Sequence, residues 1–268
     1  MVEKLHSAAY SLRRRAPKAP DWLKRGARAA LGFVYPPLCP ICRDEVAETG
    51  GLCADCWGEV TFIGDATCAS CGAPTADGPG HAEDRICDGC AHAPPAWTRG
   101  AAAVVYEGAG RKLILMLKHG DRLDIAPVAA RWMLRAGAKL VETADVIAPV
   151  PLHWRRLAKR RFNQAGELAR EVAAAAEKPE AVRFELIRRC VPTSGMDGKN
   201  RSERMATVLD VFSVPDAAAV EGKRVLLIDD VMTTGATLSA CAEACRAAGA
   251  ADVNALVFAR VARGDWPS

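Results

Sequence analysis

The sequence predicts an α/β fold: a mainly parallel sheet with helices on both faces, preceded by a small cysteine-rich module. Three observations carry that reading. From about residue 99, short apolar runs alternate with amphipathic helical stretches, the pattern of a parallel sheet with helical crossovers. Before that point, eight of the eleven cysteines fall into four Cys-x-x-Cys pairs. Within segment 224–238, four apolar residues are followed by two adjacent carboxylates, a hydroxyl-rich turn and the start of an Ala-rich helix that stops near Gly249.

Residues 1–38 carry eight Lys or Arg against Glu3 and Asp21, a net charge of +6, and read as a basic helical or flexible arm. The Arg13-Arg14-Arg15 run is followed by Pro17 and Pro20. No secretory apolar core is present, and no run approaches the roughly eighteen residues of a membrane span. Without a targeting signal and with this many thiols, the expected compartment is a reducing cytoplasm.

Residues 39–98 hold the pairs Cys39/Cys42, Cys53/Cys56, Cys68/Cys71 and Cys87/Cys90. Two thiolates three residues apart on a tight turn reach one tetrahedral ion, and a second such turn completes the site. Sequential pairing gives one Zn²⁺ to the first four cysteines and a second to the last four, with loops of 10 and 15 residues between knuckles. Interleaved pairing also satisfies the spacing. All-cysteine coordination leaves no open position, so both ions are expected to be structural. Zinc binding of roughly 10–16 kcal/mol per site replaces the core that so few large apolar residues cannot build. The segment has two basic and ten acidic residues, a net charge of −8. That argues against a grip on nucleic acid and for a scaffold or partner surface. His81 and His92 read as loop residues, and Cys190 has no partner pair. Cys241 and Cys245, one helical turn apart, read as small buried hydrophobes.

Residues 99–268 carry a net charge of +6 and are long enough for one well-cored domain. A strand is predicted at 101–106, a helix at 111–119 with Leu113, Ile114 and Leu117 on one face, and another helix over 125–140. A strand at 146–150, an amphipathic helix from Gln164, and strands at 225–228 and 253–258 complete the pattern. In such a sheet, ligands lie outside the C-terminal strand ends.

Segment 224–238 places an anion site at that edge. The free N–H groups and positive dipole end of a helix N-terminus point at one spot. Thr233, Thr234 and Thr237 add hydroxyl donors, while Gly235 and Ala236 admit a phosphate close to the backbone. Asp229 and Asp230 accept hydrogen bonds, which suits a sugar diol or a hydrated Mg²⁺ carried by phosphates. One loop can thus hold both ends of a ribose 5-phosphate. No Walker-type loop and no Gly-x-Gly-x-x-Gly after a strand is present. Two further stretches are expected at the same crevice, to meet a diphosphate or a nucleic-acid backbone. One follows the 146–150 strand and contains His153, Arg155, Arg156, Lys159 and Arg160. The other, a mobile loop or lid over 188–204, opens with Arg188 and Arg189. Trp154 and Phe162, flanking the basic run, read as packing residues rather than base-stacking ones.

Segment 224–238 resembles the phosphoribosyl-diphosphate fingerprint of the type I phosphoribosyltransferases. Three other segments narrow the likeness to the ComF family of competence-associated, phosphoribosyltransferase-like proteins. They are 106–121, with Tyr106, Gly108, Arg111, Lys118 and Asp121; Pro149-Val150-Pro151-Leu152-His153; and Arg160-Arg161-Phe162-Asn163-Gln164-Ala165. Arg161 stands where the family usually has glycine, and Met196 and Thr207 depart from its loop pattern. The likeness covers residues 32–261. It implies a double zinc ribbon before a transferase domain that binds phosphoribosyl diphosphate with Mg²⁺. Asp229 and Asp230 would orient the ribose as catalytic residues, and residues 233–237 would wrap the 5-phosphate. It further implies a role in DNA uptake during natural transformation, or in nucleotide metabolism, with single-stranded DNA and a competence or helicase protein as partners. The alternative keeps the site without the reaction, as a DNA- or phosphate-binding module of the competence machinery.

Overall fold

A computed structural model describes residues 36–48, 50–75, 85–119, 122–152, 162–189 and 211–261. The N-terminal arm before residue 36, His81, the basic run with His153, Trp154, Arg155, Arg156, Lys159 and Arg160, and the 190–210 segment lie outside the described residues.

The strands are β1 (Gly100–Val105), β2 (Val146–Pro149), β3 (Arg188–Arg189), β4 (Phe212–Ser213), β5 (Arg224–Met232) and β6 (Asp252–Arg260). Four of them form one sheet in the order β1-β6-β5-β2, with every pairing parallel. The short β3 and β4 make a separate antiparallel pair. The helices are α1 (Ala54–Gly58), α2 (Asp88–His92), α3 (Gly108–His119), α4 (Ala126–Ala136), α5 (Ala138–Thr143), α6 (Gln164–Ala175) and α7 (Ala236–Ala247). Among the described residues, no helix is long and apolar enough to cross a membrane.

Alternation along β5 explains the layering. Successive side chains point to opposite faces, so a strand covered on both sides must be apolar throughout. Leu226 and Ile228 join Leu113 and Leu117 of α3, Met133 of α4 and Leu168 of α6 in one core. Val225 and Leu227 join Leu238, Cys241 and Cys245 of α7 in the other. Cys241 and Cys245 are thus small hydrophobes of the second core, and burial pushes the Cys245 thiol up to about 12.

Two expectations change. The helix expected over 125–140 is broken at Gly137, which leaves helical geometry (φ −120°, ψ 29°). The sheet comes close there: a Cβ on Gly137 would lie 2.7 Å from Leu256 Cδ1. The last strand-like run before the acidic pair also proves longer. β5 continues through Asp229 and Asp230 to Met232, because β6 pairs with it as far as Arg260.

The cysteine module straddles the exposed edge of the sheet. Phe62 bridges antiparallel to Val104 of β1, Val105 N–H donates to the Thr61 carbonyl (2.9 Å), and Ile63 N–H to that of Ala103 (3.0 Å). The half before this bridge packs Ile41 and Leu52 onto the α3/α4/α6 core. The half after it contributes Cys68, Cys71, Ala73 and Cys90 to the α7 core.

Candidate functional site

The eight paired cysteines gather into two groups, Cys39/Cys42/Cys53/Cys56 and Cys68/Cys71/Cys87/Cys90, the ligand atoms of each lying within 4.8 Å of one another. This is the sequential pairing. Sulfur separations of 3.4 Å (Cys42 to Cys53) and 3.8 Å (Cys71 to Cys87) suit an ion about 2.3 Å from each thiolate. The clusters also favour anionic sulfur. Burial pushes the Cys39 thiol up, but backbone N–H groups of Cys42, Cys53 and Ile41 outweigh it and bring it down to about 6. At Cys68 a hydrogen bond from Cys71 dominates. N–H groups of Cys87, Cys71 and Ser70 assist, and together they lower it to about 4 against its burial. The residues present fit two structural Zn²⁺ ions. His92 lies outside the second group, its Nδ1 2.8 Å from the Asp88 carbonyl oxygen at the other end of α2.

The second site is a cleft of about 320 Å³ at the C-terminal ends of β5 and β2. It is lined by Asp229, Asp230, Thr233 and Thr237 from the β5–α7 segment, by Val150, Pro151 and Leu152 after β2, and by Asn163 and Gln164 at the start of α6. Tyr106, Lys118 and Arg189 complete it. Asn163 fixes one wall, accepting from Ala165 N–H (3.1 Å) as the α6 N-cap and donating to the Val150 carbonyl (3.0 Å). Arg188 and Arg189 separate: Arg189 reaches the cleft, its guanidinium 5.3 Å from the Phe212 ring centroid, whereas Arg188 pairs with Glu185 on the surface (3.3 Å).

The two carboxylates follow strand alternation and meet different neighbours. Asp230 turns toward α3, where Lys118 Nζ lies 3.0 Å from Oδ2. Asp229 lies on the α7 side, and its Oδ1 accepts from Asp230 N–H (2.8 Å). Burial first, then the Asp230 charge, raises the Asp229 carboxyl to about 8. A cation or a diol arriving at this pair finds an acceptor already partly stripped of water.

The hydroxyl-rich turn is shaped before any ligand arrives. Thr234 Oγ1 accepts from Ala236 N–H (3.3 Å). Gly235, the N-cap of α7, sits in the left-handed region (φ 82°), where a side chain would be strained. Arg260, 2% exposed at the end of β6, donates through Nη1 to the carbonyls of Met232 (3.0 Å) and Thr233. The sequence marked Lys118 as part of a recurring segment without assigning it a role, and it gave no sign of Arg260. A lone basic residue closing an apolar strand was the signal available.

A cysteine module that fits two zinc ions, fused to a parallel sheet with an acidic pair before a threonine-rich helix N-terminus, defines a zinc-ribbon phosphoribosyltransferase-type protein. The double zinc ribbon domain matches residues 30–92, and the phosphoribosyl transferase domain matches residues 153–267. The DNA utilization protein YhgH of Escherichia coli K12 is 28% identical over 85% of this chain and 99% of its own. The competence protein F of Haemophilus influenzae is 25% identical over 83% and 96%, and the competence protein ComFC of Streptococcus pneumoniae 27% over 78% and 87%. Both domains in this order, and relatives matched over most of their length, bear out the resemblance to the ComF family.

Proposed function

We propose that the cleft binds phosphoribosyl diphosphate with Mg²⁺ and that the chain serves the handling of incoming DNA, as the names of its relatives suggest for them. The observation that carries the ligand assignment is the meeting of Asp229, Asp230, Thr233 and Thr237 in one cleft of about 320 Å³. The 5-phosphate would take the N–H groups of the α7 N-terminus and the threonine hydroxyls. The ribose diol would bond to the acidic pair, with Lys118 holding Asp230 in place. Mg²⁺ would arrive on the diphosphate and offset its charge as that group leaves. Arg189 lines the same cleft and would meet the diphosphate there. In the transfer, a nitrogen of the acceptor bonds to C1, the C1–O bond breaks, and the diphosphate departs with the electron pair.

Calorimetric titration of zinc-loaded protein with phosphoribosyl diphosphate, with and without Mg²⁺, tests this reading beside an Asp229→Asn/Asp230→Asn variant. Mg²⁺-dependent binding that disappears in the folded double variant is expected. Absence of binding by the unaltered chain overturns the reading and leaves a non-catalytic phosphate- or DNA-binding module as the better account.

A further inference from the structure

The turn over 233–237 is braced at Gly235 by a tryptophan whose other end rests on the second cysteine cluster. Trp97 is 4% exposed, lies in the α7 core, and belongs to none of the site residues above. Its six-membered ring packs under Gly235: a Cβ built on that glycine would lie 2.8 Å from Trp97 Cη2. At its opposite end, Nε1–H donates to the carbonyl of Ser70 at 2.5 Å. Ser70 stands between Cys68 and Cys71, and its N–H is among those aimed at the Cys68 sulfur. One residue thus faces a cysteine of the cluster with its N–H and holds the indole with its carbonyl.

The surroundings leave this unit little freedom. A Cβ on Gly100 would lie 2.5 Å from the Ser70 oxygen and 3.0 Å from Trp97 Nε1. Gly100 N–H donates to the Ala69 carbonyl (2.9 Å), and the neighbouring Ala96 N–H reaches Ser239 Oγ in the first turn of α7 (3.5 Å). Close packing transmits displacement, because side chains with no free volume move together.

We propose that Trp97 is a positioning residue that couples the second zinc cluster to the anion-binding turn, so that ligation at Cys68, Cys71, Cys87 and Cys90 sets the conformation of Gly235 and with it the affinity for a sugar phosphate. Among the described residues the first cluster has no such strut, since its half of the module packs on the opposite core. The coupling rests on the proposed phosphate role of residues 233–237 and adds to it a dependence on one particular zinc.

The full chain, prepared with zinc, tests the coupling through Trp97→Phe, Cys87→Ser and Cys42→Ser variants. Phenylalanine keeps an aromatic ring in the core but reaches neither Ser70 nor Gly235. Hydrogen exchange over 233–238 is followed without ligand, and ribose 5-phosphate and phosphoribosyl diphosphate are titrated by calorimetry. Trp97→Phe is expected to retain two zinc ions by elemental analysis, to exchange faster at the turn, and to bind both probes about fivefold more weakly, the worth of one net hydrogen bond. Cys87→Ser should weaken binding at least as much, and Cys42→Ser less. Wild-type exchange and affinity in a zinc-replete Trp97→Phe protein would overturn the coupling, as would equal losses in the two cysteine variants. If the unaltered chain binds neither probe, the phosphate reading fails, and the exchange rates alone decide whether the strut exists.

Discussion

The two cysteine clusters share one chemistry and have opposite surroundings. The first has Cys39 and Cys56 buried, Cys53 half-buried and Cys42 exposed, and its half of the module touches the sheet through Ile41, Leu52 and Phe62 rather than through its sulfurs. The second has Cys68 wholly buried and Cys71 and Cys90 nearly so, and these sulfurs are themselves part of the α7 core. The glycines repeat the contrast. Gly50 in the first half approaches one side-chain methyl of Val128, whereas Gly72 in the second abuts the backbone of Ala101 and Ala102. Identical ligand sets can therefore play unequal roles, because what a metal site stabilises depends on what its ligands are packed against.

The largest test of that inequality is loss of a ligand. Cys68→Ser should leave one zinc per chain and lower the melting temperature of the whole sheet by about 15 °C, while Cys42→Ser lowers it by about 5 °C. Calorimetric melting with zinc analysis gives both numbers, and equal shifts would erase the distinction. Next comes Gly72→Ala, where a left-handed residue (φ +65°) and a Cβ 2.6 Å from the Ala102 nitrogen should cost about 3 kcal/mol. Gly50→Ala, also left-handed (φ +81°) but facing a side chain, should cost about 1–2 kcal/mol in the same urea titration.

The acidic pair carries the contrast between faces into the cleft. Burial, then the Asp230 charge, holds the folded Asp229 carboxyl above its ordinary 3.8, pushed up to about 8. Below the first value it is protonated in both states. As pH rises through the window only the unfolded chain ionises, so stability falls, and the penalty is complete above about 8. Asp229→Asn should therefore stabilise the ligand-free protein at pH 9 and leave it nearly unchanged near pH 4. Parallel denaturation curves at the two pH values check the sign. The smallest effect is expected on the other face: Lys118→Met removes the partner of Asp230 and should cost about 1 kcal/mol, since both groups keep some contact with water. Chemical denaturation at pH 7 measures it.

Local patterns in the sequence were enough to locate the strands, the Cys-x-x-Cys turns and the acidic pair with its hydroxyl-rich turn, because each is set by neighbours within a few positions. Long-range geometry was not available from them. Spacing alone left the pairing of cysteines open, and no periodicity could show that the module would divide between two cores. Gly137 was read as part of a helix because its reason for breaking one, the approach of Leu256, lies more than a hundred residues away. Trp97, in a proline- and alanine-rich approach to β1, looked like any connecting residue. Its partners Ser70 and Gly235 come together only when β1 joins the sheet beside β6.

The bridge of Phe62 to Val104 has a consequence of another kind. β1 is an outer strand, and an outer strand with open N–H and carbonyl groups is a template on which other chains can extend a sheet. Residues 61–63 occupy that template, and they are held there by a cluster on either side. Zinc ions in these clusters would thus guard against self-association as well as support the fold, and a chelated sample is expected to form larger species in light scattering before the rest of the sheet is lost.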